Sequence, residues 1–377
     1  MKGVNLKRVC TEFEAKGLDL ALLTSSGNFA YVSGLALADE ETRKFNAGVR
    51  NAVLLTRTGE GILIVADSSV HQARRDSWIT EVRPYPGGPA DTPVGPILEA
   101  VRHLGATSSR IGVETEYLPV ALYQALCTEL PHVQWQDCSA EMARVRSIKT
   151  PAEIQLMRDT VLATDRAFAA AFTALHAGNT ERDLARRIID NLYNQGADGL
   201  DHIWVYGGDK TTDKFRSPGE KRLERGDIIR VDIGGVFQGY RTDVSRMGIV
   251  GEPRPEQARI YQGLREAHLR MIEAARPGIQ AGELVRVCDK TLEAHGLPFV
   301  GRALLTHSLG VVLHDYPIVY DARDTARLEE NMVLAIEPFV VVGKEKYAVE
   351  DDVLVAAAGP EILSSFMDTR QMAPVAA

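Results

Sequence analysis

The sequence predicts an α/β (α+β) protein of two domains, and three observations carry that expectation. The chain has 377 residues, about two domains' worth at roughly 150 residues each. Up to about residue 140, short apolar runs alternate with helical periods. Beyond that point the pattern repeats itself at a constant shift, with Gly178 matching Gly278.

Composition narrows the class further. Hydrophobic residues make up 45% of the chain and charged residues 25%, the ordinary balance of a globular protein. The formal charge of -8 has the wrong sign for neutralising many phosphates, so no nucleic-acid partner is expected. The start carries no signal-peptide-like apolar stretch and no run reaches membrane-span length, so no membrane partner and a cytoplasmic location are expected. Cys10, Cys127, Cys138 and Cys288 are far apart and read as buried small hydrophobes.

In the first domain the runs 20–26, 51–57 and 61–67 read as strands, 93–105 as a helix, 110–117 as a strand, 121–130 as a helix and 133–137 as a last strand. The segment Arg146 to Ile154 then marks a helix start, with Thr150 as N-cap, Pro151 in the first turn and Glu153 three residues after the cap. Domains of 1–145 and 146–377 follow. In the second, Gly178 to Leu184 with Arg186, Leu192 and Gly196 matches Gly278 to Leu284 with Arg286, Leu292 and Gly296. Each copy reads as a helix start, an apolar stripe and a Gly stop, and each is followed by a strand pair of one kind.

Those strand pairs carry the chemistry. If Ile228 to Arg246 folds as a hairpin with Phe237-Gln238 at its tip, Asp232 and Asp243 lie opposite one another on one face. If Leu334 to Val355 folds about Gly343-Lys344, Glu337 lies opposite Glu350. Four carboxylates among Ile, Val, Ala and Phe are costly to bury unless a cation compensates. Carboxylate oxygens with an imidazole suit manganese, iron, cobalt or zinc, and this many acids suit two ions about 3.5 to 4 Å apart better than one. Between the hairpins stand His307 and His314. They are an odd number apart, so only a bend near Ser308-Leu309-Gly310 brings both to one site.

With these residues in view, the chain resembles the pita-bread-fold metallopeptidases, the superfamily of methionine aminopeptidase, aminopeptidase P, prolidase and creatinase, and most closely the Xaa-Pro peptidase-like members. The resemblance implies a creatinase-type N-terminal domain followed by a pseudo-twofold catalytic domain. It implies five metal ligands: Asp232 in Val-Asp-Ile-Gly, Asp243 in Thr-Asp-Val-Ser-Arg, His307, Glu337 in Ile-Glu-Pro, and Glu350 in Val-Glu-Asp-Asp-Val. Asp243 and Glu350 would bridge two divalent ions, manganese first with cobalt, iron or zinc as alternatives. Asp232 would complete one ion's shell, and His307 with Glu337 the other's. A water activated between the ions would be the nucleophile. Glu337 would shuttle its proton, and His314 would donate to the substrate or the developing oxyanion. A homodimer is implied as well.

The accessory positions depart from the family's pattern. Thr306 precedes the metal histidine where Gly is usual, and Ala303 and Ala348 replace a His and an Arg of proline-specific members. Phe215 stands where those members place an upstream His. In the charged loop Gly207 to Arg216, Phe215 and Arg216 are candidates to shape a substrate pocket. The expected activity is therefore a dinuclear-metal hydrolase cutting a C–N bond in a small peptide, of Xaa-Pro dipeptidase or aminopeptidase P type. The alternative is a creatinase- or ectoine-hydrolase-like hydrolase, or a lyase, acting on a small non-peptide metabolite. A binding protein without catalysis is disfavoured, because relatives of that kind have lost ligands and all five are present here.

Overall fold

A computed structural model describes residues 4–35, 51–88, 91–298 and 303–377. Two compact units divide the chain, Met1–Arg146 and Ser147–Ala377.

The first unit opens with α1 (Leu6–Lys16), capped by the Asn5 side chain and stopped by Gly17 at φ 73°. It continues through β1 (Leu20–Leu23), α2 (Ser26–Ser33), β2 (Ala52–Thr56), β3 (Gly61–Ala66), α3 (Val70–Asp76), β4 (Glu81–Tyr85), α4 (Val94–His103), β5 (Arg110–Val113), α5 (Val120–Glu129), β6 (Gln134–Asp137) and α6 (Ser139–Ser147). Among the described residues the strands form one mixed sheet ordered β4-β3-β2-β1-β5-β6. Sequence periodicity passes over β4. Pro84 lies in it, and a residue without a backbone donor is tolerated there because β4 is an edge strand. Leu22, Leu54, Ile64, Ile111 and Leu126 form the centre of the unit's core. All four cysteines are free, and Cys138 and Cys288 are buried as expected. Cys10 and Cys127 are only partly buried, each one residue round the helix from the inward stripe of Val9 and Leu126.

The second unit is built twice. Its first half runs α7 (Pro151–Thr173), α8 (Glu181–Asn194), β7 (Gly199–Gly207), β8 (Ile228–Phe237), β9 (Tyr240–Arg241) and β10 (Val244–Val250). Its second half runs α9 (Pro255–Ala274), α10 (Gly282–Ala294), β11 (Thr306–Ser308), β12 (Asp315–Val319), β13 (Val333–Ile336), β14 (Phe339–Val342), β15 (Glu345–Ala348) and β16 (Asp351–Leu354). The short β17 (Glu361–Ile362) and β18 (Ala373–Val375) close the chain. The predicted capping box of α7 is present, with Thr150 and Glu153 exchanging hydrogen bonds. Gly178 and Gly278 both have left-handed backbones, at φ 87° and 89°. Gly178 donates to the carbonyl of Leu223 and Gly278 to that of Leu328, so the two copies share loop contacts as well as helices. Leu184 and Leu284 are buried at equivalent places.

The strands form one sheet ordered β18-β10-β8-β7 and another ordered β12-β11-β13-β16-β17, with β14-β15 as a separate arm. The first hairpin corrects the expected register. Its tip is Gln238-Gly239, not Phe237-Gln238, and Asp232 pairs with Ser245 rather than with Asp243. Gln238 and Gly239 both have positive φ, 50° and 83°, as the tight turn matching the strand twist demands. Because the slip is two residues, Asp243 stays on the face of Asp232 as a diagonal neighbour. The second hairpin turns at Gly343-Lys344 as expected, with Phe339 opposite Ala348 and Ile336 opposite Asp351. This register brings Glu337 opposite Glu350. A β-bridge, Glu350 N–H to the Ser245 carbonyl at 3.2 Å, joins the two sheets beside Asp232.

Candidate metal centre

Strand geometry delivers each acidic side chain to one volume. Asp232 projects from β8, Asp243 from the break between β9 and β10, and Glu337 and Glu350 from the base of the second hairpin arm. His307 lies on β11, fully buried, and a register shift follows it directly. The chain bends through 310–314, and the rings of His307 and His314 meet edge to face at 4.5 Å between centroids. The bend required by their odd spacing is therefore present.

His307 Nδ1 lies 3.0 Å from the Ser308 carbonyl, which makes that nitrogen the donor and turns Nε2 toward the acids. Nε2 is 3.4 Å from Asp243 Oδ2 and 3.6 Å from Glu337 Oε1. One ligand atom from each of His307, Glu337 and Glu350 lies within 4.8 Å of the others, and the same holds for Asp243, His307 and His314.

A residue that sequence reasoning missed completes the picture. His202, on β7, places Nε2 3.1 Å from Asp232 Oδ1 and 3.3 Å from Asp243 Oδ1. It forms a third metal-compatible group with those two aspartates. An isolated His on a strand carries no motif, and a β-bulge between Leu200 and His202 changes which residues of β7 face the site.

The electrostatics show a site short of positive charge. Burial pushes the Glu337 carboxyl up to about 8, with Asp243 and Asp232 adding to the rise and His307 opposing it. Burial likewise drives Glu350 well above the carboxylate range, and Asp243 and Glu337 push in the same direction. Burial works against the charged form of His307, but the neighbouring carboxylates of Asp243 and Glu337 raise it to about 9. His202 is also raised well above its ordinary value, against burial, by Asp243, Asp201 and Asp232. Burial would raise Asp243 too, but the two imidazoles reverse this and hold it low. Protons thus occupy the places a cation could take. His307 Nε2 and Glu350 Oε1 are buried without an aligned hydrogen-bond partner, a cost that metal ligation would remove. The donor set, carboxylate oxygens plus imidazole nitrogen, fits divalent first-row ions.

Behind the site, Arg246 is the fixed post. Its buried guanidinium bonds Asp165 on α7 at 2.8 Å and Asp351 on β16 at 3.0 Å, and donates to the Glu350 and Ser364 carbonyls. Asp352 Oδ2 accepts the backbone N–H of Asp243 at 3.1 Å. These contacts set the backbones of Asp243 and Glu350 against each other.

Two expected pocket residues are differently placed. Arg216 is committed to scaffolding: its guanidinium bonds the buried Glu181 at 2.9 and 3.0 Å and Asp213 at 2.8 Å. About a third of the Arg216 side chain, 35%, remains exposed. Phe215 is 78% exposed with φ 52°, and meets Trp204 edge to face at 5.5 Å. Trp204 in turn stacks on His202 at 6.2 Å, so Phe215 reaches the site through an aromatic chain rather than directly.

The sequence model described as metallopeptidase family M24 matches residues 155–357, and that of the creatinase/prolidase N-terminal domain matches residues 5–148. The chain belongs to metallopeptidase family M24. It is a metal-dependent hydrolase with the pita-bread fold. A Xaa-Pro dipeptidase of Lactobacillus helveticus is 29% identical over 346 residues, 90% of each chain. The solved X-Pro aminopeptidase of Thermotoga maritima superposes with a TM-score of 0.85 at 23% identity, over 98% of this chain and 99% of its own. The Xaa-Pro dipeptidase of Bacillus anthracis does so at 0.84 and 22%, with the same coverage. At such identities the two structures speak to the fold. Among the described residues of this M24 member no helix is long and apolar enough to cross a membrane.

Proposed function

We propose that this protein is a dinuclear-metal dipeptidase that cleaves the imide bond of Xaa-Pro dipeptides. The observation that carries the reading is the meeting of five side chains from both halves of one duplicated unit, with His307 Nε2 and Glu350 Oε1 buried there without an aligned hydrogen bond. Full-length similarity to a Xaa-Pro dipeptidase favours a peptide over a small non-peptide metabolite. Asp232, Asp243 and Glu350 would hold one ion, and Asp243, Glu350, His307 and Glu337 the other, with manganese the first candidate for this oxygen-rich set. A homodimer in the cytoplasm completes the reading.

Bound ions would supply Lewis acidity and a water that ionises near neutral pH. Glu337 would accept a proton from a water held there and pass it to the leaving nitrogen. Desolvation and the neighbouring His307 lower His314, which would donate its N–H to the carbonyl oxygen under attack. Phe215 and Trp204 wall the approach to His202.

A buried and a partly buried cation would supply a place for the dipeptide's free carboxylate. Arg230, two residues before Asp232 on β8, donates to the Thr211 and Asp213 carbonyls and lies 4.4 Å over the Tyr206 ring. Lys346, on β15, lies 3.9 Å over Phe339 and is tied to the same Thr211 through its backbone. Burial and the charge of Arg230 lower Lys346 to about 8, which an incoming carboxylate would reverse. Lys346 is two residues from Ala348 on one strand, and so shares a face with the position where proline-specific relatives carry an arginine.

The test is a panel of Xaa-Pro dipeptides and their C-terminal amides, assayed with Mn(II) and after chelation. The reading expects turnover of free dipeptides, loss on chelation and poor turnover of the amides. Lys346→Met should raise KM for dipeptides roughly tenfold to a hundredfold. Silence toward every Xaa-Pro dipeptide by the Mn(II)-loaded protein would reject it.

A further inference from the structure

We infer that His202 is a sixth metal ligand, donating Nε2 to the ion held by Asp232 and Asp243; this rests on the metal reading above.

Three features of the chain point that way. The first is distance. Two donors side by side in a first-row metal shell, each about 2.1 Å from the ion, stand about 3 Å apart. His202 Nε2 stands 3.1 Å from Asp232 Oδ1 and 3.3 Å from Asp243 Oδ1.

The second is orientation. Asp201 Oδ2 lies 3.0 Å from His202 Nδ1, and Asp201 Oδ1 accepts from Arg241 Nε at 2.6 Å. Arg241 is itself anchored to the Val311 carbonyl. The carboxylate therefore holds the proton on Nδ1 and frees the Nε2 lone pair, as carboxylates behind metal-bound histidines do. Room for the ring comes from Gly234, its partner across β7 and β8. A Cβ there would approach His202 Cε1 and Nδ1 to 2.8 Å.

The third is symmetry. In each half of the unit, the strand pairing with the carboxylate hairpin supplies one imidazole: His202 on β7 in the first, His307 on β11 in the second. Their Nε2 atoms approach opposite oxygens of Asp243, at 3.3 Å from Oδ1 and 3.4 Å from Oδ2. The five-ligand set uses only one of these two imidazoles.

The experiment combines calorimetry with X-ray absorption on the full chain. Metal-free wild type and His202→Ala are titrated with Mn(II), and their Co(II)-loaded forms are compared for imidazole scattering. The inference expects one ion to bind about ten- to a hundredfold more weakly in His202→Ala, with the imidazole count falling by one per chain. Asp201→Asn, which keeps the ring but loosens its orientation, should weaken the same ion to a smaller degree. Equal thermal melts of the metal-free proteins would establish that the variants are folded. Unchanged affinity and an unchanged imidazole count in His202→Ala would overturn the inference while leaving the metal reading standing. A wild type that binds no ion would overturn both.

Discussion

The two halves of the catalytic unit share a scaffold and differ in charge state. In the first, Asp232 and Asp243 sit beside His202, and Asp243 is held ionised. In the second, Glu337 and Glu350 sit beside His307 and are driven toward the protonated form by burial. The contrast teaches that duplication fixes where carboxylates stand, while the neighbouring imidazoles decide which of them keep protons. An acid kept protonated in the metal-free chain must release that proton for an ion to bind, and one held ionised need not.

The sharpest way to break this division of labour is Glu337→Gln. It keeps shape, removes proton transfer and weakens one ion's shell, and with Mn(II) saturating is expected to lower kcat for a Xaa-Pro dipeptide about a hundred- to ten-thousandfold. Asp232→Asn in the first half is expected to act mainly on metal affinity, and a larger kcat loss there than in Glu337→Gln would reverse the assignment. Next in size is Arg246→Met, which cuts the post joining Asp165 of one half to Asp351 of the other. Leaving buried acids unpaired is expected to cost about 3 to 5 kcal/mol in denaturant unfolding.

A pH series sharpens the second half's side of the comparison. Burial lowers His268, on α9, to about 3, with Arg265 and Arg246 assisting and Asp351 opposing. The unfolded chain takes up this proton near pH 6.5 and the folded chain only near 3, so stability falls across that window as pH drops. The ceiling on this contribution is about 4 to 5 kcal/mol. His268→Leu is expected to flatten the slope of Tm against pH between 6.5 and 3 relative to wild type; an unchanged slope would show that the imidazole is not kept neutral. The smallest effect belongs to Arg216→Ala. It is expected to leave KM unaltered and to cost about 1 to 3 kcal/mol in a thermal melt, because Glu181 is buried and loses its main partner. A raised KM would return Arg216 to the pocket.

Much of this was legible because hairpins have a period of two. The spacing of Glu337 and Glu350 about Gly343-Lys344 placed that pair correctly, and a two-residue slip in the first hairpin still left Asp232 and Asp243 on one face. The Gln238-Gly239 turn was the missed signal, since a Gly in second place is what a two-residue turn requires. His202 stayed hidden for a different reason. Its direction depends on a bulge at Asp201 and on the space above Gly234, neither of which leaves a periodic trace. The ion pairs of Arg216 were not legible because a charged loop residue looks the same in sequence whether it faces a ligand or a buried Glu181.

The most direct measurement is a calorimetric titration of the metal-free protein with Mn(II), run in buffers of different ionisation heat while Xaa-Pro hydrolysis is followed. Two ions per chain are expected, with activity returning as the second site fills. Protons should be released at pH 7, because Glu337 near 8 and His307 near 9 must give theirs up to bind metal. Fewer than two ions, or full hydrolysis in the presence of a chelator, would contradict the account.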